Sequence, residues 1–286
     1  MKVSYLGPTG TFSEMAARGL FEGHELVPYK TIPACMDAVA NKEVDVAIVP
    51  NENAIEGSVN MTIDYLIHKQ RLPIIGGLTV PIAQHLLVSA EFPTRKIEKV
   101  VSHPHAIAQC HDFLQKNYPD AKWEYMNSTA EAAAFVANHP ELNIAAIANE
   151  LAASEYRLHT AQSNVHDYAH NHTSFVVLGK AETYQVSGRN HTEDKTTLMV
   201  TLPSDFSGAL HQVLSAFAWR KLNLKKIESR PTKTGLGNYF FIIDVEGLMD
   251  EILIPGVISE LEALGCGVDV LGSYPCYTLE GSKIKV

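Results

Sequence analysis

The chain has 286 residues, which points to about two domains rather than one core. Its 46% hydrophobic and 19% charged residues are those of a globular protein, and a net charge of −9 without any Lys/Arg cluster excludes a typical nucleic-acid partner. No apolar run approaches the roughly 20 residues that cross a bilayer, and no leader-like segment precedes the first strand, so no membrane partner is expected.

Over the first 180 residues, short apolar runs alternate with amphipathic segments. Strands are predicted at 3–6, 44–49, 74–78, 85–88, 99–102, 123–125, 144–147 and 174–178. Helices are predicted at 11–20, 32–40, 59–68, 104–116 and 129–138. This alternation is the signature of an α/β fold with parallel pairing, in which ligands bind beyond the carboxyl ends of the strands. Four motifs occupy such ends: Gly7-Pro8-Thr9-Gly10-Thr11, Pro50-Asn51-Glu52-Asn53, Ser102-His103-Pro104-His105 and Asn127-Ser128-Thr129. Each runs into a predicted helix whose free N–H groups suit a carboxylate or phosphate. The first is too short for a Walker loop and lacks its Lys.

Residues 181–195 are polar and read as a linker. Beyond them the order is strand 196–202, helix 207–221, strand 224–228, a tight turn at 234–238, strand 239–245, helix 254–264 and strand 268–274. That βαββαβ order describes a ferredoxin-like module of residues 196–275, followed by a tail, 276–286. The four cysteines, Cys35, Cys110, Cys266 and Cys276, are widely spaced and form no C-x-x-C pair. A reducing cytoplasm is the expected setting. Thirteen histidines include His103-Pro104-His105 and a group at His166, His170 and His172, but no zinc spacing occurs, and no metal is expected.

Three stretches carry a family resemblance: Tyr5-Leu6-Gly7-Pro8-Thr9-Gly10-Thr11-Phe12-Ser13, Val49-Pro50-Asn51-Glu52-Asn53-Ala54-Ile55-Glu56-Gly57-Ser58-Val59, and Asn171-His172-Thr173-Ser174-Phe175. In this order and spacing the chain resembles the monofunctional prephenate dehydratases. The C-terminal module resembles an ACT regulatory domain, through Gly208-Ala209-Leu210-His211 and Glu228-Ser229-Arg230-Pro231. The resemblance implies a catalytic domain over 1–180, built like a periplasmic binding protein from two lobes. They would comprise about 1–75 plus 173–180, and 76–172, with the active site in the cleft between them.

It also implies decarboxylating loss of hydroxide from prephenate to give phenylpyruvate, with no cofactor, under feedback by L-phenylalanine. Hydroxide is a poor leaving group, so a donor must meet it. The family role falls on Thr173, which by residue type alone would merely begin a strand. Thr11, Ser13, Asn53, Gly57, Ser58, His105, Ser128, Thr129, Ser174 and Phe175 are the expected substrate neighbours, although Thr11, Ser13, Ser128 and Thr129 suit helix capping equally. Gln109 lies one turn beyond His105, and Glu52 is expected to brace its loop.

The chain departs from the family at Ser174, where most members have Arg, and at Asn51, usually apolar. An Arg there would pair with a substrate carboxylate or brace the cleft. Weaker activity, or another cation in its place, is therefore expected. Arogenate dehydratase and a catalytically weakened sensor are the alternative functions. Phenylalanine is expected at Gly208, Ala209, Leu210, His211, Glu228, Ser229, Arg230 and Pro231 between two copies, giving a homodimer or homotetramer. By residue type alone, Gly208 reads as a helix cap and Arg230 as a surface ion pair.

Overall fold

A computed structural model describes residues 1–91, 96–180, 190–204, 206–232, 239–250 and 252–279. The chain opens with β1 (Lys2–Leu6), α1 (Phe12–Leu20), β2 (Glu25–Tyr29), α2 (Ile32–Ala40), β3 (Val46–Asn53), β4 (Gly57–Ser58), α3 (Asn60–His68) and β5 (Ile74–Pro81). Then follow β6 (His85–Ser89), β7 (Lys99–Ser102), α4 (Pro104–Gln109), α5 (His111–Asn117), β8 (Lys122–Tyr125), α6 (Thr129–Asn138), β9 (Ile144–Ala148), α7 (Glu150–Glu155) and β10 (Leu158–Gln162). After β11 (His172–Gly179) come β12 (His191–Thr201), α8 (Ala209–Trp219), β13 (Leu224–Pro231), β14 (Tyr239–Glu246), α9 (Leu253–Ala263) and β15 (Gly267–Thr278).

The helices begin where short polar side chains replace the missing intrahelical acceptors. Thr11, Thr31 and Ser128 accept from the backbone N–H three residues on, at the starts of α1, α2 and α6. One predicted helix, 104–116, is in fact two, because the backbone leaves helical geometry at Cys110. β2 escaped the sequence reading because it contains Pro28, which cannot donate to a ladder and is tolerated only at an edge; β2 is the edge strand.

Residues 1–180 build two sheets, and the expected two-lobed α/β architecture is present. One sheet carries β5-β11-β3-β1-β2; the other runs β10-β6-β9-β7-β8. The chain crosses between them after β5 and again before β11. The first sheet is buried on both faces. Tyr5, Val177 and Phe175 meet α1 on one side, while Val176, Leu178 and Val49 meet Met36 and Leu66 of α2 and α3 on the other. The Gly7–Thr11 loop is tied to the second lobe. Asn149 Nδ2 donates to the Gly10 carbonyl at 3.0 Å, and the Tyr156 hydroxyl to that of Thr9 at 2.7 Å.

The C-terminal module has strand order β13-β14-β12-β15 with α8 and α9 packed on one face, as a ferredoxin-like βαββαβ unit requires. Its other face is covered by the same chain: Ile63 and Ile67 of α3 pack on Met199, Phe240 and Ile242. β15 also pairs in parallel with β5, so the module's sheet continues into the first lobe's sheet. Gly272 makes this possible, since a Cβ there would stand 2.2 Å from the Ile74 carbonyl oxygen.

Two boundaries differ from expectation. Of the expected linker, 181–189 lie outside the described residues, and 191–195 are already strand, paired with 274–277 of β15. The polar composition there misled because the strand is half-exposed. Of the expected tail, β15 holds 276–278, and Leu279 is buried against the first lobe, while 280–286 lie outside the described residues. The predicted turn at 234–238 also lies outside them.

Candidate active site

A cleft of about 1280 Å³ separates the lobes. The starts of α1, α2, α4 and α6 all border it. Thr173, Asn53, Gly57, Ser58, Thr11, Ser13, His105, Ser128 and Thr129 line it, as does Gln109. Ser174 and Phe175 do not. Successive strand residues point to opposite faces, so Ser174 turns away from the cleft that Thr173 enters. Phe175 is 1% exposed in the core beside α1.

Thr173 is held from the neighbouring strand. Asn53 Nδ2 donates to Thr173 Oγ1 at 2.9 Å, to Asn171 Oδ1 at 3.0 Å and to the His172 carbonyl at 3.2 Å. Asn53 Oδ1 accepts the N–H groups of Ile55 and Glu56, each at 3.0 Å. Two backbone donors fix which end of the amide is oxygen, so Nδ2 must face Thr173. The threonine oxygen therefore acts as acceptor toward Asn53, and its own proton remains available to the cleft.

A bulge in the β3–β11 pair allows this geometry. Ser174 pairs with Glu52 and Phe175 with Pro50, so Asn51 is the extra residue. The departure from an apolar residue at 51 thus falls on a bulge, where the Asn51 carbonyl accepts from Val59 N and ties β4 to β3.

Thr11 caps α1: it accepts from Glu14 N at 3.2 Å and donates to the Leu6 carbonyl at 3.0 Å, so its one proton is committed to the backbone. Ser128 Oγ accepts from Glu131 N at 2.9 Å and keeps its own proton. His105 Nδ1 stands 3.7 Å from Glu56 Oε2, and its ring meets that of His103 edge-on. Burial, then the nearby His105, holds the His103 imidazole below its usual pKa.

Lys30, Gln84 and Tyr156 are among the cleft residues that were not anticipated. Lys30 is exposed and, among the described residues, is the cleft's sole Lys or Arg; no ion pair involves it. It precedes Thr31 at the start of α2, the same strand-to-helix signal as the four recognised motifs, hidden because β2 was not recognised. Gln84 is buried and leaves Oε1 without a hydrogen-bond partner among the described residues. Tyr156 reaches in from just beyond α7.

Glu52 faces Ser174 across the β3–β11 pair, and Lys226 Nζ of β13 lies 3.1 Å from Glu52 Oε2. Lys226 thus ties Glu52 of β3 to the C-terminal module.

In the C-terminal module, Gly208 adopts φ +94° as the cap of α8, with open space where a Cβ would lie. Ala209 is buried, while Leu210 and His211 are exposed. Ser229 and Pro231 are exposed on β13. Glu228 and Arg230 point the other way, onto the face shared with Ile242 and Phe240 that meets the catalytic lobe. Strand alternation turns these two side chains away from α8 and α9 of their own chain.

The family model of prephenate dehydratase matches residues 3–183, and that of the ACT domain residues 196–266. The chain is 58% identical to the prephenate dehydratase of Bacillus subtilis over 98% of its own length and 100% of that protein. Among solved structures it resembles the prephenate dehydratase of Arthrobacter aurescens in complex with L-Phe, with TM-score 0.84 and 32% identity over 96% of this chain and 89% of that one. The prephenate dehydratase of Staphylococcus aureus superposes with TM-score 0.77 at 28% identity, over 96% of this chain and 100% of that one.

Proposed function

The chain belongs to the prephenate dehydratase family, and from that premise we propose that its cleft converts prephenate into phenylpyruvate, carbon dioxide and hydroxide. The C1–carboxylate bond breaks, and its electron pair enters the ring as carbon dioxide leaves. The C4–oxygen bond breaks as the ring becomes aromatic, and the hydroxyl oxygen departs with that pair. Thr173 donates its proton to it, so the oxygen leaves as water, and solvent reprotonates the threonine and yields the hydroxide of the overall reaction. The hydrogen bond from Asn53 Nδ2 to Thr173 Oγ1 is the observation that carries this reading, because it leaves the threonine proton directed elsewhere.

Lys30 binds the pyruvyl carboxylate. One cation suits the chemistry: a second, on the ring carboxylate, would stabilise the ground state and oppose decarboxylation. Gln84 Oε1 accepts the proton of the ring hydroxyl, turning its oxygen toward Thr173. Ser128, Thr129 and Ser13 line the anion-binding side, where the N-terminal ends of α1 and α6 add a favourable dipole.

The ACT domain senses L-phenylalanine at the open start of α8, Gly208 to His211, between two copies of the chain. A homodimer or homotetramer is supported by the exposed apolar side chains of this domain, Trp219 and Ile252 foremost. Four free thiols fit a reducing cytoplasm. No helix is long and apolar enough to cross a membrane among the described residues.

The test is phenylpyruvate release from prephenate, with arogenate in parallel and phenylalanine titrated by calorimetry. Turnover of prephenate with phenylalanine binding is the expected result. No product from prephenate would overturn the reading.

A further inference from the structure

β13 is an edge strand, and its alternation places Lys226, Glu228 and Arg230 on one face. That face does not look into solvent. It meets the β3–β4 hairpin and the first turns of α3, the segment that lines the cleft from the first lobe. Lys226 Nζ donates to Ser58 Oγ at 2.7 Å and to Glu52 Oε2 at 3.1 Å. Ser58 Oγ donates to Glu228 Oε2 at 2.7 Å. Arg230 donates to Glu228 Oε1 at 2.6 Å, to Asn60 Oδ1 at 2.7 Å and to Asp64 Oδ1 at 3.1 Å.

These contacts grip both strands of one ribbon. Glu52 and Ser58 are register partners in β3 and β4, and the next pair outward is Asn53 with Gly57. Lys226 therefore bridges the ribbon one residue from Asn53, the side chain that orients Thr173. Gly57, at φ +81° with nothing within 4 Å of a Cβ, adds no side-chain packing at the ribbon's tip, and the clamp restrains the ribbon from the side of β13. The single proton of Ser58 is spent on Glu228, so Ser58 is a structural member of the clamp while the clamp is closed.

We infer that Lys226 and Glu228 are positioning residues of the catalytic cleft: the regulatory domain holds the Glu52–Ser58 ribbon, and through it sets Asn53 against Thr173. β13 belongs to the ACT domain, so a shift of that strand is passed to the ribbon in one step. This inference rests on the cleft being the site of prephenate turnover.

The experiment uses the full chain with Lys226→Met, Lys226→Arg, Glu228→Gln, Ser58→Ala and the Ser58→Ala/Glu228→Gln double variant. Steady-state kinetics on prephenate are read beside phenylalanine calorimetry and inhibition. The expected result is a fall in kcat of about 10- to 100-fold for Lys226→Met and Glu228→Gln, as for an ångström-scale misplacement of a reacting group, with KM changed less. Lys226→Arg restores most of kcat. The double variant is no worse than its worse single parent, as for residues in one network. Lys226→Met still binds phenylalanine but is inhibited by it less. A purely structural role would lower the melting temperature and leave kcat, additivity and inhibition unchanged. An active wild type with indifferent Lys226→Met and Glu228→Gln variants overturns the clamp alone. A wild type that makes no phenylpyruvate overturns the functional reading and the clamp's catalytic role with it.

Discussion

Asn53 and Thr173 lie directly opposite each other in the β3–β11 pair, and the asparagine amide donates to the threonine oxygen at 2.9 Å. They are 120 residues apart in sequence, and the fold brings them together by laying the returning strand β11 between β3 and β5. A hydroxyl is a weak acid in water. Here its oxygen is hydrogen-bonded from behind, which polarises the O–H bond toward whatever occupies the cleft.

Asn53→Asp tests that polarity. A carboxylate of the same shape accepts rather than donates, so Thr173 would turn its proton toward residue 53. The expected fall in kcat is about 100- to 1000-fold, the loss typical of one preorganised donor, with KM for prephenate little changed. Steady-state phenylpyruvate formation checks it.

Lys30→Met should raise KM for prephenate by about 10- to 100-fold, since hydrogen bonds to charged groups are worth about 1.5–3 kcal/mol. Lys30→Arg should recover most of that affinity. The wild-type KM should also rise with salt, because Lys30 is exposed and its field is screened.

Ser174→Arg is expected to leave kcat/KM within about threefold of wild type, the change of under ~1 kcal/mol usual for a substitution that meets neither core nor reacting groups. The position faces Glu52, not the cleft, and Glu52 already has Lys226. Parallel kinetics on the two proteins decide it. A large gain would show that the serine impairs the enzyme after all.

Stability should depend on pH in two windows. Burial holds His85 and His103 below their usual value of 6.5. The unfolded chain therefore takes up these protons first, and stability is full above about pH 6.5 and lost as pH falls through the folded values. Glu228 is pushed up by burial, but hydrogen bonds from Ser58, Arg230 and Lys226 outweigh this and hold it below 4.5. Its contribution is kept above pH 4.5 and lost at lower pH. Melting temperatures across this range, for the chain and for His103→Asn, should show a decline below pH 6.5 that the variant partly removes.

Two of the strand ends at the cleft were legible because they join a strand with buried residues to a capped helix, β1 to Thr11 and β7 to His103. Thr173 and Asn53 were legible through their motifs. Lys30 was not, because Pro28 disguised the strand that precedes it. Nor was the face of Ser174 legible, since the bulge at Asn51 and the placement of β13 against β4 are tertiary facts. Likewise, Glu228-Ser229-Arg230-Pro231 reads as one motif, yet alternation divides it between two faces of a strand.

Phenylpyruvate formation by Thr173→Val tests whether the threonine hydroxyl assists the departure of hydroxide from prephenate, since valine keeps the shape and the β-branch and removes the donor. The expected result is a loss in kcat of about 100- to 1000-fold with KM within a few-fold of wild type. A Thr173→Val protein that turns over prephenate at the wild-type rate would contradict it.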